Sequence, residues 1–284
     1  MKLHKRVLLV ASVLLSAATA CKQTSTDSAS SQDTLPTIED TMSKEQKELV
    51  DFKFFFTLAN LPSPMELIND IYKNEVPFNS DLLNSTDHEE KYTSAYKKSV
   101  NYGIYGIDMA YAAFYGQNQD LLSYYSTTKA LAEKMNVQET FDRYTESFQK
   151  NSDNQDSLVR MIDKAYAETD NYLRNNGRYM TAAHVLAGAI IEVQHLSIAL
   201  MKEQERTPGN AAIFEKIFNQ RMYLDNLVNL FKEFEKDPDS GKLLKDLQEL
   251  QAAFNAVKSA DELTKDRLTN LLVTVDKVRN RMTN

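Results

Sequence analysis

Apolar positions in this 284-residue chain fall into two regimes. Val7 to Ala20 form one unbroken run of apolar or small residues, and from Ser43 onward apolar residues recur every three or four positions to the end. No stretch alternates apolar and polar residues between hairpin turns, so strands are not expected. The helical spacing predicts helices over 43–60, 63–76, 88–115, 118–135, 137–150, 154–176, 178–205, 208–236, 241–258 and 260–282, with ends placed to within two to four residues. The expected fold is therefore all-α: a multi-helix bundle of about nine or ten helices over 42–284, in one piece or as two packed halves, 42–205 and 206–284. Seams such as Ile213, Ile217, Leu224, Val228 and Leu268, Leu271, Val275, Val278 suggest that the last three helices form an antiparallel unit.

Punctuation supports these elements. Ser63-Pro64-Met65-Glu66 reads as a capping box with proline at the first helical position. Thr207-Pro208 reads as a second cap and Ser259-Ala260-Asp261-Glu262 as a second box. Asn176-Gly177 and Asp237-Pro238-Asp239-Ser240-Gly241 read as turns.

Two helices differ from the rest. In 88–115, Ser99, Gly103, Gly106, Ala110 and Ala113 draw a stripe of small residues along which a neighbouring backbone can approach closely. The opposite face carries Asn101, Tyr105 and Asp108, and a helix this apolar all round is a buried one. Asp108 is thus a carboxylate where burial is costly without partners. In 178–205 the only polar stripe is Thr181, His184, Gly188, Glu192 and His195. These residues suggest a candidate polar or ligand site built from Asn101, Tyr105, Asp108, His184, Glu192 and His195. A histidine paired with Asp108 would hold the carboxylate ionised and have its own pKa raised. The alternative is a solvated edge beside a satisfied core acid.

No metal or cofactor is expected. Glu192-x-x-His195 occurs once, whereas di-iron bundles use that motif twice, and His184 and His195 stand about 16 Å apart along a helix. No Gly-rich phosphate loop, nucleophile elbow or Cys/His zinc pattern is present, so no catalytic residue is assigned. Tyrosine is dense between Tyr92 and Tyr125, a pattern that fits a recognition surface or ordinary packing at helical spacing.

The N-terminus changes the picture. Lys2, Lys5 and Arg6 precede the apolar run, which is 14 residues long, and Cys21 follows at once. A transmembrane helix needs about 20, so 1–20 reads as a signal peptide. Residues 22–41 are rich in Ser and Thr and read, with Cys21, as a flexible tether of roughly 25 Å average span. The chain carries a net charge of −7, and removing the three leader cations leaves 30 Lys and Arg against 40 Asp and Glu. That acidic balance argues against a nucleic-acid partner.

Ala18-Thr19-Ala20-Cys21 resembles the lipobox of bacterial lipoproteins, with Ala18 where Leu is usual. The resemblance implies lipidation of Cys21 and a membrane anchor. Lys22, rather than Asp, after the cysteine implies the outer membrane, and the lack of an acidic run implies its periplasmic face. Leu61-Pro-Ser-Pro64 and Asn101-Tyr-Gly-Ile-Tyr-Gly-Ile-Asp108 are similar to a group of helical lipoproteins of Bacteroidetes type without an assigned activity. The functional expectation is a non-enzymatic binding or scaffolding module for an envelope protein partner or small ligand. The alternative is a hydrolase-like enzyme using a buried Asp/His/Glu site between two central helices.

Overall fold

The computed structural model describes residues 41–59, 64–150 and 154–284. The leader, Cys21, residues 22–40 and the Ser63 cap lie outside them. The described residues form an all-α bundle with no strand, in the order α1 (Lys44–Ala59), α2 (Pro64–Lys73), α3 (Ala95–Phe114), α4 (Asn118–Lys134), α5 (Gln138–Lys150), α6 (Gln155–Asn175), α7 (Tyr179–Met201), α8 (Ala211–Phe231), α9 (Pro238–Asn255) and α10 (Lys265–Thr283). The expected helix content is borne out, and the departures lie at the ends. Helix α3 starts seven residues later than its apolar pattern suggests, because the Ser94 hydroxyl accepts the Lys97 N–H. What precedes it is a strap between α2 and α3, carrying 3-10 turns at Ser80–Leu82 and Thr86–Lys91. Pro77 helps to keep that segment out of the helix, since the residue before a proline avoids the α region.

Three caps act differently from expectation. Thr207 and Asn210 close a turn on each other, Asn210 Oδ1 accepting the Thr207 N–H at 2.8 Å, so α8 begins only at Ala211. Thr264 caps α10, and the box at Ser259 closes a 3-10 turn in which Glu262 accepts the Lys258 N–H. Asp237-Pro238 is a helix start rather than a turn: the Asp237 carboxylate accepts the N–H groups of Asp239 and Ser240, with Pro238 first in the helix.

Helices α3 and α7 are the axis of the bundle. Val100, Tyr102, Ile104 and Tyr105 on one and Ala183, Ile191, Leu196 and Ile198 on the other are fully buried. Their backbones meet through glycine: a Cβ on Gly103 would stand 2.1 Å from Val185 O, and one on Gly188 would stand 2.0 Å from Val100 O. The small-residue stripe does what its spacing suggests, with Gly103 facing α7 and Gly106 lying under the Tyr166 ring of α6. Helix α7 also packs on α10, α2 and α8. Among the described residues it is the one helix long and apolar enough to cross a bilayer, yet 94% of that apolar window is buried, so it is a core helix here.

Candidate functional site

Along α3, Asn101, Tyr105 and Asp108 point one way, toward the strap. Asp108 is fully buried, and its Oδ2 accepts the Asn84 N–H of the strap at 3.1 Å. Its other oxygen meets no donor and neighbours the Glu192 carboxylate of α7. Glu192, itself 0% exposed, is gripped by a bidentate guanidinium from α10: Arg279 Nε and Nη2 donate to its two oxygens at 2.6 and 2.9 Å. One cation therefore faces two carboxylates. Burial first, and then the Glu192 charge, push the Asp108 carboxyl well above the ordinary range, with Arg279 only partly opposing them. Burial and the neighbouring Glu192 charge thus both favour the protonated form of Asp108.

Strap carbonyls complete the arrangement. Leu82 O accepts from Arg279 Nη2 at 3.2 Å and lies 3.0 Å from His195 Nε2, while His195 Nδ1 lies 2.6 Å from Asp276 of α10. Both ring nitrogens of His195 thus face acceptors. Asn101 donates to Lys97 O and Met282 O, so α3 holds the end of α10, and its Oδ1 accepts from Asn84 at 3.4 Å. Asn101, Tyr105, Asp108, Glu192 and His195 all belong to one polar seam joining the strap to α3, α7 and α10.

His184 does not. Its Nε2 bonds the Ser240 hydroxyl of α9 at 2.9 Å, and its ring sits edge-on to Tyr96 and stacks on Phe231. Burial lowers its pKa to about 4, the reverse of the raised value that an Asp108 partner would produce. Of the partners considered for Asp108 (His184, Glu192 and His195), the structure brings Glu192 beside it and turns both histidines elsewhere, and burial raises the Asp108 pKa where a histidine partner would have lowered it. The residue missed in the sequence is Arg279. Two acids on apolar helices require a cation, and Arg279 stands on the flank of the α10 seam, between Val278 and Met282.

Four of the eight tyrosines between Tyr92 and Tyr125 turn onto the same strap. Tyr115 OH donates to Val76 O, Tyr105 OH to Ser85 O and Tyr124 OH to Asn84 O, at 2.6–2.8 Å, while Tyr111 OH accepts the Asn79 N–H. An irregular segment lacks a helix to satisfy its backbone, and these hydroxyls supply the missing partners. Burial pushes the Tyr111 phenol up to about 12, so it stays protonated. The cluster is structural packing.

An open groove of about 450 Å³ lies elsewhere, where the α7–α8 connection meets the start of α10. Within it Lys265 pairs with Glu203 at 2.6 Å and Arg206 with Asp261 at 2.9 Å, and it contains none of the candidate residues. Among the described residues, no three His, Cys, Asp or Glu side chains are grouped to hold a metal ion. No known family model, curated protein or solved structure matches the chain.

Proposed function

We propose that this protein is a lipid-anchored helical module of the cell envelope, held at the outer membrane through Cys21 and acting by binding or scaffolding rather than by chemistry. The observation that carries the non-enzymatic part is the sealing of its charged interior. Asp108 and Glu192 are 0% exposed, Asn84 binds one Asp108 oxygen and Arg279 binds both oxygens of Glu192, so neither acid is presented to a substrate at the surface. A seam used this way fixes one packing of four segments, a role attested for buried polar groups in other systems. The cationic start, the apolar run and the lipobox-like Ala18-Thr19-Ala20-Cys21 support the address.

Fractionation tests the anchor. Wild type should partition with membranes and leave them only in detergent, because acyl chains contribute about 0.8 kcal/mol per buried methylene. Cys21→Ser should accumulate unprocessed or appear in the soluble fraction. Recovery of wild type in the soluble fraction without detergent would overturn the assignment. Cross-linking in native membranes then asks whether a protein partner is captured by the wild type and lost with Cys21→Ser.

A further inference from the structure

Helix α1 is apolar on two faces, and only one of them is buried. Val50, Phe54 and Thr57 face the bundle, where α1 packs on α8 and α7. On the other side Leu49, Phe52 and Phe55 follow at three-residue spacing. Phe52 and Phe55 are 64% and 63% exposed, and Phe56, half exposed, stacks on Phe52. The helix is held in place: Lys53 pairs with Glu233 of the 3-10 turn after α8, Asp51 with Arg174 of α6 at 3.3 Å, and the Arg174 guanidinium lies over the Phe54 ring. The outward aromatic face is thus a fixed feature of the surface. The other large apolar residues on the surface, such as Leu122 and Val273, lie on other helices.

We infer that this face of α1 rests on the phospholipid bilayer, with Phe52 and Phe55 inserted at the level of the headgroups and upper acyl chains. The inference rests on the proposal that Cys21 is lipidated. Two observations choose the bilayer over another occupant. The first is position: only residues 22–43 separate Cys21 from α1, so the first helix of the body is the one an anchored chain brings to the membrane. The second is area. A phenylalanine side chain buries on the order of 150–250 Å², so three aromatics and a leucine at these exposures present roughly 400 Å². A stable protein interface takes about 800 Å² from each partner, so the patch is about half of what a second copy of the chain or a folded partner would need. An apolar stripe in the plane of the interface needs no such area and sinks by about 5–10 Å. On α1 itself Lys44, Lys47 and Lys53 balance Glu45, Glu48 and Asp51, so the helix adds nothing to the net negative charge of the body.

The chain has no Trp, so one introduced tryptophan reports alone. Full-length lipidated Phe52→Trp, Phe55→Trp and Leu122→Trp are each reconstituted into phosphatidylcholine vesicles with unlabelled or dibrominated acyl chains. Phe52→Trp and Phe55→Trp should emit further to the blue with vesicles and lose at least about half of their intensity to the brominated lipid, while Leu122→Trp, on a helix that packs chiefly on α3, is unaffected. Protein that sediments with the vesicles but shows no quenching at either α1 position overturns the docking and leaves the anchor standing. Protein that stays in the supernatant removes the anchor and the docking with it. A blue shift that grows with protein concentration and needs no lipid assigns the face to a second copy and also overturns the inference.

Discussion

At Asp108 two tendencies meet. Burial favours the neutral acid, and the one nearby cation is already committed to both oxygens of Glu192. Because the folded-state pKa is raised above the unfolded value of about 3.9, the stability carried by this proton is fully present below about pH 4. It is lost as pH rises through the folded value. Asn carries an amide where the protonated acid has its hydroxyl and keeps an oxygen for the Asn84 N–H. Asp108→Asn should therefore remove the fall: urea unfolding of both proteins across pH should give a wild-type disadvantage that widens toward alkaline pH. A difference that does not change with pH would contradict the raised Asp108 pKa. Arg279→Met, by contrast, strands Glu192 and should cost about 3–5 kcal/mol. His184 acts with the opposite sign. Its pKa is depressed to about 4, so its contribution is complete above the unfolded value of about 6.5 and is lost as pH falls through 4. At about 1.4 kcal/mol per unit, that amounts to about 3 kcal/mol. NMR should find the His184 imidazole neutral and untitrating between pH 5 and 8, and normal titration there would place it outside the core.

Between α3 and α7, glycine meets backbone carbonyl in both directions. Alanine is favoured over glycine within a helix by about 1 kcal/mol, so a loose interface would be stabilised by Gly188→Ala. Here the new Cβ would sit 2.0 Å from Val100 O, a backbone atom that moves only if α3 and α7 part. Overpacking of that kind costs about 1–3 kcal/mol. The net expectation is a loss of up to roughly 2 kcal/mol for Gly188→Ala or Gly103→Ala, read as a lowered denaturant midpoint. A stabilised variant would mean that the two backbones do not touch. This feature was legible in advance, since glycine and alanine recurring every three or four residues on an apolar helix have few other uses. The strap was not. Its partners are tyrosine hydroxyls bonded to main-chain groups, and a main-chain acceptor such as Ser85 O or Val76 O leaves no trace in residue type. The helix ends moved for a related reason: Ser94, Thr264 and Asp237 outcompeted rival caps within a few residues, a contest decided by geometry.

Over the whole molecule, helical periodicity predicted the bundle, while the charge pairing of its interior depended on long-range packing. Asp108 and Glu192 were recognisable as misplaced acids on apolar helices. Arg279 was not, because its counter-charge role is visible only once α10 lies along α7, 87 residues from Glu192 in sequence. That separation has a consequence in time. A chain synthesised from its N-terminus presents α3 and α7, with both acids, well before the guanidinium that pairs with Glu192, and the strap waits for the same group at Leu82 O. The body should therefore stay open while most of it has already emerged and close only when its last twenty or so residues arrive. Chains halted after Lys258 should be helical but cleaved rapidly by protease in the strap, whereas full-length chains resist; equal resistance would show that the bundle closes without waiting for its final helix.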